Sequence, residues 1–134
     1  MKLFVEATKS RTGLHAARSV VVIVGRGEAR IIDKPTARSR GTYSRGLAGE
    51  VDVEANPGDH VVWVWLARNP RGRVTGRVRV YSWKGDLLLE AVIRKRKVRR
   101  SRGDPSLGWV VETALSALGL SSYIRRYNWA TGGG

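Results

Sequence analysis

Valine, isoleucine, tryptophan and tyrosine in this chain fall in short runs, broken by groups of residues that turn a backbone. That punctuation constrains the fold more than any other feature. The runs predict strands at Lys2–Thr8, Ser19–Val24, Glu28–Asp33, Glu50–Ala55, His60–Arg68, Arg73–Ser82 and Leu87–Val98, because β-branched and aromatic side chains suit a pleated surface. Between them stand Gly25-Arg26-Gly27, Asn56-Pro57-Gly58-Asp59, Asn69-Pro70-Arg71-Gly72 and Trp83-Lys84-Gly85-Asp86, all of which accept turn dihedrals. Seven such strands predict a mainly β protein, a sandwich or small barrel. No internal repeat is present.

One helix is predicted over 105–118. Asp104 caps it and Pro105 takes the first helical position. Leu107, Val110, Val111, Ala114, Leu115 and Leu118 then form one apolar stripe, which should pack on the sheet. Gly119 offers a left-handed stop. The 134 residues are enough for one domain with a real core. That domain is expected over 1–119, followed by an aromatic and basic extension over 120–134. A short helix or strand is expected at Ser122–Trp129, and the glycine-rich end should be loose. Lys34–Gly49 reads as a long irregular loop with Lys34, Arg38, Arg40 and Arg45 and no acid before Glu50, and such loops are often functional.

The 25 Lys and Arg against 11 Asp and Glu leave a net charge of +14. A compact domain so charged repels itself, and a polyanion relieves the repulsion. The charge is uneven: residues 68–102 hold thirteen bases and two acids, a net +11. A surface built only for solubility would mix the signs. Alternation places Val74, Gly76, Val78 and Val80 on one face of their strand, with Arg73, Thr75, Arg77, Arg79 and Tyr81 on the other. A simple hairpin at Trp83–Asp86 sets Ser82 opposite Leu87, Val80 opposite Leu89, Val78 opposite Ala91 and Gly76 opposite Ile93, since a slip of one residue would bury arginines. The outer face then lines up Arg73, Arg77, Arg79, Arg94 and Arg96. Glu90, opposite Arg79, is expected to neutralise one of them.

The run Arg94-Lys95-Arg96-Lys97-Val98-Arg99-Arg100-Ser101-Arg102 is basic at seven of nine positions. Guanidinium forks grip phosphate oxygens and exposed rings stack on bases. This predicts a phosphate-binding surface of Arg38, Arg40, Arg45, Arg73, Arg77, Arg79, Arg94, Lys95, Arg96, Lys97, Arg99, Arg100, Arg102, Arg125 and Arg126, with Tyr81, Trp83, Tyr127 and Trp129 as stacking candidates. Tyr123–Trp129 reads equally as a nucleic-acid arm or as a strap over the sheet. Trp63 and Trp65 read as core, and a tight Asn69–Gly72 turn would set Trp65 over Gly76.

Other chemistries find little support. Val20-Val21-Val22-Ile23-Val24-Gly25-Arg26-Gly27 looks like the start of a dinucleotide fold, but Arg30 stands where a third glycine is needed. Cysteine is absent, and His15 and His60 lack ligand spacing. Glu50, Asp52 and Glu54 alternate on one strand face and could hold a metal, as in a nuclease. No apolar run approaches the roughly 18 residues of a membrane span, and Glu6 interrupts any signal-peptide core. A cytoplasmic protein is therefore expected, or one held inside a virion or nucleoprotein particle. Glutamine is missing and asparagine is scarce, as in thermophiles.

The expectation from sequence is thus a non-enzymatic protein that binds nucleic acid with little sequence preference and without a cofactor. RNA in a ribonucleoprotein stands ahead of DNA. The alternatives are a β-sandwich subunit of a virion or nucleoprotein assembly, self-associating, and a metal-dependent nuclease.

Overall fold

The computed structural model describes the backbone of residues 2–6, 14–41, 48–69 and 71–133, with side chains over 19–32, 52–69 and 71–133. Eight strands follow one another: β1 Lys2–Glu6, β2 Leu14–Gly25, β3 Glu28–Gly41, β4 Ala48–Asp52, β5 His60–Arg68, β6 Val74–Ser82, β7 Leu87–Arg94 and β8 Lys97–Gly103. β1 and β4 form a two-stranded antiparallel ribbon. The other six make one antiparallel sheet in the order β3-β2-β5-β6-β7-β8. This sheet is open, with β3 and β8 as its edges, so the barrel expected as one option is not formed.

Two differences from the expected strands have local causes. β3 continues through the supposed loop to Gly41. Pro35 is tolerated there because β3 is an edge and because the β2–β3 register shifts between Arg18 and Val20, beside the proline. Arg45 lies outside the described residues. The strand expected over Leu87–Val98 is instead two strands, β7 and β8, joined by a two-residue turn at Lys95-Arg96. Neither residue is a usual turn former, so the break carries no signature in the sequence.

The sheet has an apolar core on each side. On one, Val22, Val62, Val78, Val80, Ala91 and Ile93 pack with Val110, Val111, Ala114 and Leu115 of helix α1, Gly108–Ala117. On the other, Val21, Ile23, Val61, Trp63, Trp65, Ala67 and Tyr81 pack with Val53. β2 over residues 19–24 and β5 are therefore buried on both faces. β6 and β7 are buried on the helix side, β8 is buried only at Val98, and the other face of these strands carries charge. Trp65 pairs with Arg77, and Leu66 with Gly76, one residue away from the expected register. The connection after β5 spans residues 69–73, closed by Asn69 N–H to Arg73 O at 3.0 Å. Trp65 is thereby moved to the arginine side. Gly76 is still required, because a Cβ there would collide with the Trp65 carbonyl oxygen.

A 3-10 turn, Pro105–Leu107, leads into α1. The Asp104 carboxylate accepts from the Ser106 hydroxyl at 2.7 Å and the Ser106 N–H at 3.0 Å. These bonds, the hydroxyl foremost, hold its carboxyl below the usual aspartate range. A lowered folded pKa contributes stability above the unfolded value of about 3.9, which is lost as pH falls through the folded value. Asp104→Ala should therefore melt below wild type at neutral pH, with the gap narrowing in acid. An equal gap in thermal melts at both pH values would refute the ionised cap. A second 3-10 turn, Ser121–Ile124, buries Tyr123 in the helix-side core. Among the described residues no helix is long and apolar enough to cross a membrane.

Candidate nucleic-acid interface

An antiparallel meander places its turns alternately at two ends, and here the ends differ in charge. At one end lie the turn before Glu28, the loop ending at Asp59, the turn with Asp86 and the helix cap Asp104. At the other lie the loop 69–73 and the turn Lys95-Arg96. This second end carries Arg68, Arg71, Arg73, Arg94, Lys95, Arg96 and Lys97, and no acid among the side chains described. Arg68 and Arg71 escaped the sequence reading, although both belong to the basic block 68–102. The backbone of Arg38 reaches the same end, since Ala16 pairs with both Arg38 and Arg68. Arg40 follows two residues further along β3.

The two hairpins at this end hold each other. Arg96 N–H donates to Val74 O and its guanidinium to Gly72 O, each at 3.4 Å. Lys95 and Arg96 have φ of 52° and 61°, which makes this a primed two-residue turn, matched to strand twist. Arg96 consequently projects from the turn and does not belong to the outer-face row expected from the sequence. Arg73 likewise precedes β6 and lies in the loop.

The outer face of β6–β8 is organised around Glu90. The hairpin register has Val80 opposite Leu89, Val78 opposite Ala91 and Gly76 opposite Ile93, as expected, while Tyr81 takes the place of Ser82 opposite Leu87. Glu90 Oε1 accepts from Arg77 Nη1 at 3.1 Å, and Oε2 from Arg79 Nε at 2.8 Å. One carboxylate thus holds two arginines. The Arg79 guanidinium also lies 5.2 Å from the centre of the Trp63 ring, a cation–π distance. Partial burial works to lower its pKa, but hydrogen bonding to Glu90 and Tyr81 outweighs this and raises it.

Two arginines of the expected row are therefore committed within the protein. Two others replace them. A register shift between Val92 and Ile93 puts Val92 opposite Arg100 and Glu90 opposite Arg102. Both arginines are exposed, on the same side as Arg77. With Arg77, Glu90 and Val92 they border a recess of about 370 Å³.

Arg99 is displaced by the same shift, and its Nε donates to Arg94 O at 3.2 Å. It lines a groove of about 410 Å³ with Lys97, Val98, Arg125 and Arg126. Arg125 and Arg126 are held there by the segment that follows. The Tyr127 hydroxyl donates to Ser101 Oγ at 2.7 Å, and Ser101 N–H donates to Gly132 O at 2.9 Å. Trp129 Nε1 donates to Glu112 Oε1 at 3.0 Å, with its ring seated on Gly108, where a Cβ would strike it. The Tyr127 and Trp129 rings meet edge to face, 4.6 Å apart. Tyr127 thus fastens the segment to β8, and Trp129 fastens it to α1.

Of the four stacking candidates, Tyr81 is buried in the second core. Trp83 is half-buried, beneath the Lys84 ammonium and at the acidic end, away from the groove. The acidic trio does not share one strand face: Asp52 ends β4 and Glu54 lies beyond it. The Glu50 side chain is outside the described residues. Among the described residues no three His, Asp or Glu are grouped to hold a metal ion. No protein-family model, curated protein sequence or solved structure matches the chain.

Proposed function

We propose that this protein binds nucleic acid without catalysis, by gripping phosphates with its basic end and its edge strand β8. The observation that carries the reading is the separation of charge along the sheet. Loop 69–73 and turn 95–96 carry only cations among their charged residues, while at the opposite end Glu28, Asp59, Asp86 and Asp104 outnumber Arg26 and Lys84. Such a molecule approaches a polyanion basic end first. Each phosphate neutralised releases counterions, which favours binding at low salt.

Arginine predominates, and its fork takes two phosphate oxygens where lysine offers a point charge. Few rings are free to stack, so contacts fall on backbone phosphates and base sequence matters little. We place RNA ahead of duplex DNA, because hairpin tips and a groove suit the uneven surface of folded RNA. The exposed cations of β8 also discourage strand addition at that edge. This favours binding over assembly of a coat through sheet edges.

Fluorescence anisotropy with matched single- and double-stranded RNA and DNA, titrated with salt, tests the reading. The expected log–log slope is roughly −3 or steeper, with RNA bound more tightly than duplex DNA. Negligible binding of all four ligands at about 50 mM salt, where nonspecific binding is strongest, would overturn it.

A further inference from the structure

The groove beside β8 has two walls from distant parts of the chain. Lys97 and Arg99 form one, Arg125 and Arg126 the other, with Val98 between them and no acid in the lining. Like charges gathered in this way repel one another, and none of the four has an acidic partner among the described residues. The backbone adds an independent sign. Among the described residues, the non-glycine positions with positive φ are Lys95 at 52°, Arg96 at 61° and Arg126 at 63°. The first two form the β7–β8 turn, where hairpin geometry requires positive φ, and they do not line the groove. Arg126 does line it, at a position outside any hairpin where glycine or asparagine would relax the backbone. Strain retained in this way clusters at ligand sites.

We propose that this groove is a two-walled clamp for consecutive phosphates of a single nucleic-acid strand. The proposal rests on the nucleic-acid reading above and gives it a seat and a strand preference. Guanidinium forks on both sides reach a phosphate threaded between them. The hydrogen bonds of Tyr127 and Trp129 fix the second wall before the ligand arrives. A single strand can bend its backbone into such a groove, whereas a duplex carries its phosphates on a stiff helix and offers them to the groove one edge at a time.

The test compares wild type, Lys97→Ala with Arg99→Ala, Arg125→Ala with Arg126→Gly, and all four changes together. Binding is read with a short labelled single-stranded oligonucleotide, its duplex, and inorganic tripolyphosphate. Each pair should weaken single-strand binding about tenfold. The quadruple variant should lose less than the product of the two pairs, because a strand released from one wall leaves both. Duplex binding should fall far less. Arg126→Gly alone should melt no lower than wild type and still weaken single-strand binding.

Wild-type binding of the oligonucleotide that all variants retain would overturn the clamp and leave the broader reading standing. Multiplicative losses, or equal losses for duplex, would also overturn it. Binding of tripolyphosphate but of no oligonucleotide would overturn the nucleic-acid ligand for clamp and protein alike, leaving a site for small polyphosphates. Binding of neither would refute both proposals.

Discussion

Trp63→Ala is expected to lower the unfolding free energy by about 3–5 kcal/mol, as loss of a large buried ring usually does. The side chain is 1% exposed, at the middle of β5, and packs in the core on the charged side of the sheet. Its Nε1 donates to Ser19 Oγ at 2.7 Å, so truncation also strips a buried hydroxyl of its partner. Trp65 provides the internal comparison. It is 5% exposed on the same face, yet its Nε1 has no partner among the described residues. Trp65→Phe discards an unsatisfied donor while keeping much of the packing, so it should cost clearly less than Trp63→Phe. Urea unfolding at constant m-value measures each difference. A loss below about 1 kcal/mol for Trp63→Ala, the scale of an ordinary surface change, would show that this second core does not hold the sheet. Equal losses for the two phenylalanine variants would remove the assigned role of the Ser19 bond.

The contrast between β6 and β5 shows how much of the fold could be read in the residues. In β6, valines alternate with arginines, so only one register keeps the charges out of the core, and the pairing with β7 follows from that pattern. β5 is apolar on both faces. No register of β5 is penalised by burial of charge, and the length of the 69–73 loop decides it. The one-residue difference moved Trp65 to the side of Arg77 and into the second core, a placement that alternation alone does not decide. The helix was legible for the opposite reason: Asp104, Pro105 and a regular apolar stripe all mark the same segment.

The candidate site divides in the same way. Concentration of cations over 68–102 is plain in composition, but their placement depends on where strands turn. Lys95-Arg96 turns without glycine or asparagine, so the sequence predicts one strand through Val98 where the structure has a hairpin and an edge strand. The meeting of Arg125 and Arg126 with Lys97 and Arg99 depends on Trp129 finding Gly108 and Glu112, contacts between residues far apart in sequence. Strand pairing sets Glu90 against Arg79 alone, yet its two oxygens hold both Arg77 and Arg79, a geometry that pairing does not specify.

Replacing Arg71, Arg73 and Arg94 with alanine should weaken nucleic-acid binding about 100-fold near 0.1 M salt and flatten the salt slope by roughly 2–3. All three are exposed at the basic end and have no acidic partner among the described residues. Each phosphate contact adds about 0.7 to the slope for a single strand and about 0.9 for duplex DNA, so loss of three contacts accounts for the change. The backbone N–H of Arg73 bonds Asn69, and Arg94 offers its carbonyl to Arg99. Alanine retains both groups, so the melting temperature should stay close to that of wild type. Arg26 and Lys84 supply the control, because they are exposed cations at the acidic end. If only total charge mattered, their removal would reduce affinity in proportion to the two charges lost. If the end matters, as proposed, the change should stay within about twofold, the size of a screened long-range effect. Arg77→Ala belongs between these cases. Its guanidinium is held by Glu90 Oε1, so its removal deletes a cation and strips one carboxylate oxygen beside the recess of its partner, while Oε2 stays paired with Arg79. Affinity should fall further than for a lone exposed arginine, and Glu90→Gln in the same background should restore part of the loss. Equal losses at the two ends would show that the separation of charge along the sheet has no part in binding.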